Sequence, residues 1–144
     1  MRYANFRTRF CRDERATSAV EFAIVAPVFL MLVLGIVAYG TFLGMAHSIQ
    51  QITAEAARAS IAGVNDDERA ALARSSVANN IGSYPLIQAN HVTISHAATD
   101  AATSTFTLTL NYDASDSFIY ALPRFVPLPP AAIVRSAAIQ RGGY

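Results

Sequence analysis

The 144-residue sequence contains no lysine, no tryptophan and a single cysteine, Cys11. One cysteine excludes any intramolecular disulfide, whatever compartment the chain enters. Cys11 reads as an idle thiol in preference to a lipidated juxtamembrane one. All eleven basic residues are arginines, and their distribution leaves no basic stripe beyond the first fifteen residues, so the electrostatic footprint of a nucleic-acid binder is missing. Catalytic and cofactor signatures are equally scarce. The sequence has no G-x-S-x-G elbow, no glycine-rich phosphate loop, no H-E-x-x-H and no cysteine ligand set, which argues against an enzyme and implies no cofactor and no metal.

What is present is one long apolar run. Residues 22–46 carry no Asp, Glu, Lys, Arg or His, and this exceeds the roughly 20 residues needed to cross hydrocarbon. The run reads as one transmembrane helix in contact with membrane lipid. Before it, Arg2, Arg7, Arg9, Arg12 and Arg15 stand against Asp13 and Glu14, a balance of +3; the remaining six arginines and eight acids give −2. Cations at one end hold that end in the cytoplasm, so Arg7, Arg9, Arg12 and Arg15 set the topology: N-terminus inside, C-terminal part outside. A secretory signal cut before His47, after the small-x-small pair Gly44 and Ala46, is the weaker reading, because the apolar run is long for a signal peptide.

Pro27 lies near the start of the run, where it removes a helical hydrogen bond and favours a kink. Gly35, Gly40 and Gly44 recur at spacings that admit close approach of another helix. Past Ala46, the residues Ile49, Ile52, Ala56 and Ala59 repeat at three and four, with Gln50, Gln51, Glu55 and Arg58 on other faces; the helix is expected to continue as an amphipathic segment to Ala62 and stop at Gly63. About 43 residues of helix at about 1.5 Å each span on the order of 60 Å, half in the bilayer and half outside.

The rest predicts a small α+β unit. Asn65 is a good N-cap, and Asp66, Asp67 and Glu68 occupy the first turn, where the helix dipole favours negative charge. Consecutive helical positions diverge, so the three acids do not converge on an ion. Leu72, Val77 and Ile81 give this second helix its apolar positions, and Gly82 with Pro85 ends it. The period then changes to two. Residues 91–96 and 105–112 read as half-buried antiparallel strands, joined by a polar link over 97–104, and residues 132–140 as a third. Between the last two, Pro123, Pro127, Pro129 and Pro130 preclude a central strand and leave an extended loop with a short helical piece. His91 and His96 fall on opposite faces of the first strand and cannot share a metal.

The ionisable residue that stands out is Glu21, next to Phe22 at the entrance of the apolar run. A carboxylate facing hydrocarbon without a partner costs several kcal/mol or is protonated, so it needs a cation or a place in the headgroup layer.

The residues RATSAVEFAIVAPVFLMLVLGIVAYG, followed by IQQITAEAARAS, resemble the N-terminal segment of TadE-like proteins, the minor pseudopilins of Tad (tight adherence, Flp-type) pilus systems. The resemblance covers residues 15–60 and rests on the combination of an Arg-rich leader, Val-Glu-Phe, Ala-Pro inside the helix, an aromatic-Gly pair and the AEAAR segment. It implies a non-enzymatic subunit of pilus assembly, processed by a prepilin peptidase. On this sequence the cut falls between Ala16 and Thr17, and Glu21 becomes the fifth residue of the mature chain. Two positions depart from the family pattern: Ala16 stands where Gly is usual, and Ala38 where relatives often carry Glu. The implied partners are the peptidase, other pilins or pseudopilins and the Tad inner-membrane assembly proteins.

The resulting organisation is a basic cytoplasmic leader over 1–16, a transmembrane helix with amphipathic extension over 17–62, and an exported α+β unit over 63–144. The implied location is a bacterial inner membrane crossed once, with the C-terminal part periplasmic or extracellular, or the pilus itself. The rival reading is a membrane-anchored extracytoplasmic binding module or enzyme unrelated to pili. Beyond Ser60 nothing resembles a known family, and the TadF-like role is not distinguished from the TadE-like one.

Overall fold

The computed structural model describes residues 14–123 and 125–140, with side chains from Thr17 onward. Arg7, Arg9, Cys11 and Arg12, and the side chains of Arg15 and Ala16, lie outside it. A single helix, α1 (Glu14–Ala59), is followed by a 3-10 turn at Ser60–Ala62. Next come α2 (Asp66–Asn80) and three strands: β1 (Val92–Asp100), β2 (Thr105–Asp113) and β3 (Ala132–Gln140). The sheet is antiparallel throughout, in the order β1-β2-β3. Both helices lie on one face, α1 over β3 and β2, α2 against α1 and β1. The fold is α+β.

The alternation in β2 does most to define the core. Phe106, Leu108, Leu110 and Tyr112 are buried, while Thr105, Thr107, Thr109 and Asn111 stand on the opposite, half-exposed face. Against that apolar row α1 presents Met45, Ile49, Ile52 and Ala56, joined by Ile133 of β3 and by Ala73 and Val77 of α2. Burying a side chain of the Ile or Met class is worth roughly 1.5–3 kcal/mol, so this seam is the largest stabilising feature of the chain. The inner face of α1 differs from the expectation at one place. Ala59 is exposed, and Thr53, Ala57 and Ser60 are buried in its stead. The buried hydroxyls fit because each is returned to a carbonyl of the helix, Thr53 to Ile49 O at 2.6 Å and Ser60 to Ala57 O at 2.6 Å.

Packing on α1 begins earlier than the amphipathic segment. Ala38 is fully buried within the core cluster and Phe42 packs against it, so the last part of the apolar run belongs to the α+β core. N-terminal to Ala38 the helix is bare. An apolar stretch long enough to cross a membrane is 0% buried there, with Phe22, Ile24, Val28, Phe29 and Leu32 all exposed.

α1 stops as expected at Gly63, which is extended (φ −74°, ψ 139°) with its N–H bonded to Ser60 O at 3.1 Å. The need for glycine is spatial: a Cβ there would lie 2.7 Å from both the backbone nitrogen and Cγ of Arg69. α2 starts on a reciprocal cap. Asn65 Oδ1 accepts from Glu68 N–H at 2.8 Å, and Glu68 Oε2 accepts from Val64 N–H at 2.8 Å. Its inner face is Arg69, Ala70, Ala73 and Val77, whereas Leu72 is only half-buried. Asp66 has a further role beyond favouring the helix dipole. It accepts from Thr99 N–H at 3.1 Å and from the Thr99 hydroxyl, tying α2 to the open edge of β1.

β1 departs most from the sequence reading. The strand runs on through residues 97–100, and the connection to β2 shrinks to residues 101–104. A register shift between Ile94 and His96 inserts a bulge at Ser95, which changes the parity of the inward positions from Val92 and Ile94 to Ala97 and Thr99. Strict alternation is therefore broken in the sequence although the ladder continues. The short turn is held by the Asp100 carboxylate, which accepts from Ala102 N–H at 2.9 Å and the Thr103 hydroxyl at 3.0 Å, and by Ser104 in the left-handed region at φ 51°. His91 is not on the strand; it ends a 3-10 turn at Ala89–His91. The proline-rich link contains the expected short helical piece, a 3-10 turn at Phe118–Ala121, and a hydrogen bond from Val126 N–H to Pro123 O at 3.0 Å.

Two pairs of substitutions test this packing by denaturant unfolding of the full chain in detergent. Gly63→Ala is expected to destabilise by about 1–3 kcal/mol through overpacking on Arg69, while Gly82→Ala, where a Cβ would meet nothing within 4 Å, stays near neutral. Asp66→Ala is expected to cost roughly 0.5–1.5 kcal/mol because the Thr99 donors exchange its carboxylate for water, whereas Asp67→Ala loses only a helix-end charge, about 0.3–1 kcal/mol.

Candidate functional site

The described residues contain no group of three or more His, Cys, Asp or Glu side chains that could hold a metal ion. The polar clusters that do form are structural. His91 Nδ1 contacts Asp113 O at 3.0 Å and its Nε2 lies 3.4 Å from Asp116, closing the turn after β2. The Asp113 carboxyl is held below the ordinary carboxylate range, chiefly by the Ser115 backbone N–H it accepts, then by the Ser115 side chain. His96 is exposed on β1 beyond the bulge, so the two histidines do not converge. On α1, Glu55 accepts from Gln51 at 3.1 Å and from the Tyr84 hydroxyl at 3.3 Å; burial, and then the Glu55 charge, push the Tyr84 hydroxyl above its usual pKa. These bonds strap the segment after α2 onto α1.

Two of the hollows beside the sheet bring several polar side chains together. One of about 420 Å³ is lined by Ser60, Val64, Arg69, Phe106 and Ile139, among others; Arg69 there donates to Gly63 O at 3.0 Å and lies 3.9 Å from Asp66. The other, about 300 Å³, opens by Asn90, His91, Thr93, Asn111 and Asp113. Asn111 Oδ1, buried and unbonded among the described residues, suits a bound water. Neither hollow pairs a nucleophile with a base.

The remaining candidate is the bare N-terminal part of α1. Glu21 and Phe22 are exposed at its start, and no ion pair among the described residues involves Glu21. The carboxylate thus precedes an exposed apolar surface. Thr17 lies four residues, about one helical turn, before Glu21, and the helix already includes both. Pro27 sits inside α1, which continues through it. Gly35 and Gly40 have open space where a Cβ would stand, so a neighbouring helix can approach there. Gly44 differs: a Cβ on it would lie 3.2 Å from Leu86 Cδ1, and its side of the helix is taken up by the chain's own loop. Ala38, which departs from the family pattern, is buried against the core, a position where a carboxylate would lack water.

The sequence reading missed the ties of Asp66 to Thr99 and of Leu86 to Gly44. Both join residues more than thirty positions apart, and neither leaves a periodic signal. No curated protein and no solved structure matches the chain. The model of the TadE-like protein family matches residues 16–58, from the predicted cleavage site through the last turns of α1, and marks the long helix as a TadE-like segment.

Proposed function

We propose that this protein is a minor pseudopilin: a non-enzymatic subunit that takes part in assembly of a Tad/Flp-type pilus after a prepilin peptidase removes its leader between Ala16 and Thr17. TadE-like proteins are pilus-associated structural components, and a long apolar N-terminal helix is consistent with a single-pass membrane anchor. The finer reading is carried by one observation, the bare apolar half of α1 that opens on exposed Glu21. An anchor needs the apolar surface only; it has no use for a carboxylate at the edge of hydrocarbon, where burial without a partner is unfavourable.

Cutting after Ala16 supplies that partner. Hydrolysis leaves a new amino group on Thr17, and an ammonium and a carboxylate then lie about one helical turn apart at the helix end. In a bundle of such helices the Glu21 of one subunit can meet the Thr17 amine of the next, a charge-assisted pair that offsets desolvation and sets the axial register. Gly35 and Gly40 allow the helices to close on each other below that pair. Cleavage removes five arginines and two acids, so the net charge passes from +1 to −2, and Cys11 leaves with the leader. A cut before His47 would instead divide the core, since Ala38, Met45 and Ala46 are part of it.

The protein recovered from bacterial membranes that carry the cognate peptidase is expected to begin at Thr17, by N-terminal sequencing and intact mass. A start at Met1 or Arg2 would sink the processing step and leave a plain anchor. In the same membranes Glu21→Ala should insert as the wild type does yet lose most of its crosslinking and co-isolation with other pilus subunits; unchanged co-isolation would return Glu21 to the headgroup layer.

A further inference from the structure

The point at which the core takes hold of α1 fixes where the core lies along the helix, and with it which loops face the membrane. Residues 17–37 form about 31 Å of helix, the thickness of a hydrocarbon core, and Ala38 is the first residue fully buried by the rest of the chain. The direction of the sheet follows from two contacts. Gln50 Nε2 reaches Ser136 O in the middle of β3 at 3.5 Å, and Ser60 lines one hollow with Ile139 and Gln140 at its end. β3 therefore runs the same way as α1, and its first residue, Ala132, lies towards Ala38. The register places Val92, Asp113 and Ala132 at that same end. The two segments that enter these strand ends, residues 83–91 and 114–131, are consequently on the side of the bare helix. Leu86 confirms the placement directly, since it packs beside Gly44 and its carbonyl accepts from the Tyr112 hydroxyl at 3.4 Å.

Those segments are unusual in what they expose. Phe118 is 57% exposed, Phe125 56% and Leu86 46%, while the residues between them, Ile119 and Val126, are buried and hold the loop in place. Between Ser117 and Ala131 the sequence carries one charged residue, the cation Arg124, and between Ser83 and Asn90 none. The acids of the adjoining turn are engaged locally, with Asp116 against His91 and Asp113 on Ser115. We propose that Leu86, Phe118 and Phe125 form a lipid-contact surface that seats the α+β core on the outer face of the bilayer, beside the exit point of α1.

This rests on the reading of α1 as the membrane span. Aromatic and aliphatic side chains at the headgroup boundary gain burial while the backbone behind them stays in reach of water, the arrangement of interfacial anchors. Seating on both the helix and the loops also removes the rotational freedom that a single-helix anchor leaves to its cargo. Position along the helix selects lipid over a protein partner: Leu86 lies beside Gly44, the loop that carries Phe118 and Phe125 enters the same end of the sheet, and Leu43 and Tyr39 of α1 are exposed near that level.

The absence of tryptophan makes the test clean. Single Trp reporters are placed in the full chain by Phe118→Trp and Phe125→Trp, with Val28→Trp near the middle of the span and Thr107→Trp on the far face of the sheet. Each is reconstituted into vesicles containing lipids brominated either near the carbonyls or deep in the acyl chains. The expected result is loss of most of the emission of both loop reporters with shallow bromines, loss at Val28→Trp with deep bromines, and none at Thr107→Trp. Unquenched loop reporters beside a quenched Val28→Trp would overturn the proposal and leave the span intact. An unquenched Val28→Trp would overturn the span and the proposal together. A loop emission that is blue-shifted, insensitive to bromine and dependent on the protein-to-lipid ratio would assign the patch to a second copy.

Discussion

Everything in this chain depends on one helix that is docked along one part and bare along the other. The face of α1 from Ala38 to Ala57 is docked on the sheet, and the same helix continues N-terminally with its apolar side chains exposed. Because the backbone hydrogen bonds of a helix are satisfied internally, α1 can pass from protein core to bare surface without a change of conformation. The docking seam of Met45, Ile49, Ile52 and Ala56 against Leu108, Leu110 and Ile133 both completes the core and fixes the direction in which the bare segment points. A three-stranded sheet with one short helix is too small to bury an apolar face by itself, and α1 supplies the missing layer.

That arrangement divides labour along the chain. The bare part of α1 carries Glu21 at its start and then the open faces at Gly35 and Gly40. The docked part carries small and β-branched residues that fit a sheet. The C-terminal unit contributes the sheet on which α1 docks. Its polar clusters close turns or strap segments, as Asp66 does for Thr99 and Glu55 for Tyr84. The outer sheet face, with Thr107 and Thr109 and the Thr109–Ser136 hydroxyl pair at 2.9 Å, is covered by neither helix.

Much of this was legible in the sequence, for particular reasons. The apolar run and its arginine flank announce a span because desolvating charge is costly. The Asn65 cap and its first-turn acids announce α2 because helix ends must satisfy free N–H groups, and the structure has both halves of that reciprocal cap. Strand β3 was readable to the residue and β2 to within one, Asp113, because both alternate along their length. β1 was cut short at His96, since the bulge at Ser95 shifts its inward positions and alanines give the alternation no contrast. An assembly role for Glu21 is suggested only by the resemblance of its surroundings to TadE-like proteins; composition alone favours a headgroup position.

The sequence by itself determined where a long helix lies, where it must end at Gly63, which residues form the three strands' inward rows apart from the bulge, and that no disulfide can form. Each of these follows from local chemistry: hydropathy, capping, alternation, cysteine count. Only the tertiary structure decided that the core begins at Ala38, inside the apolar run, because hydropathy does not distinguish a side chain destined for lipid from one destined for a sheet. It also decided that Gly44 belongs to Leu86 and that Asp66 belongs to Thr99. Such pairings depend on the approach of distant segments, which is set by how the whole layer packs.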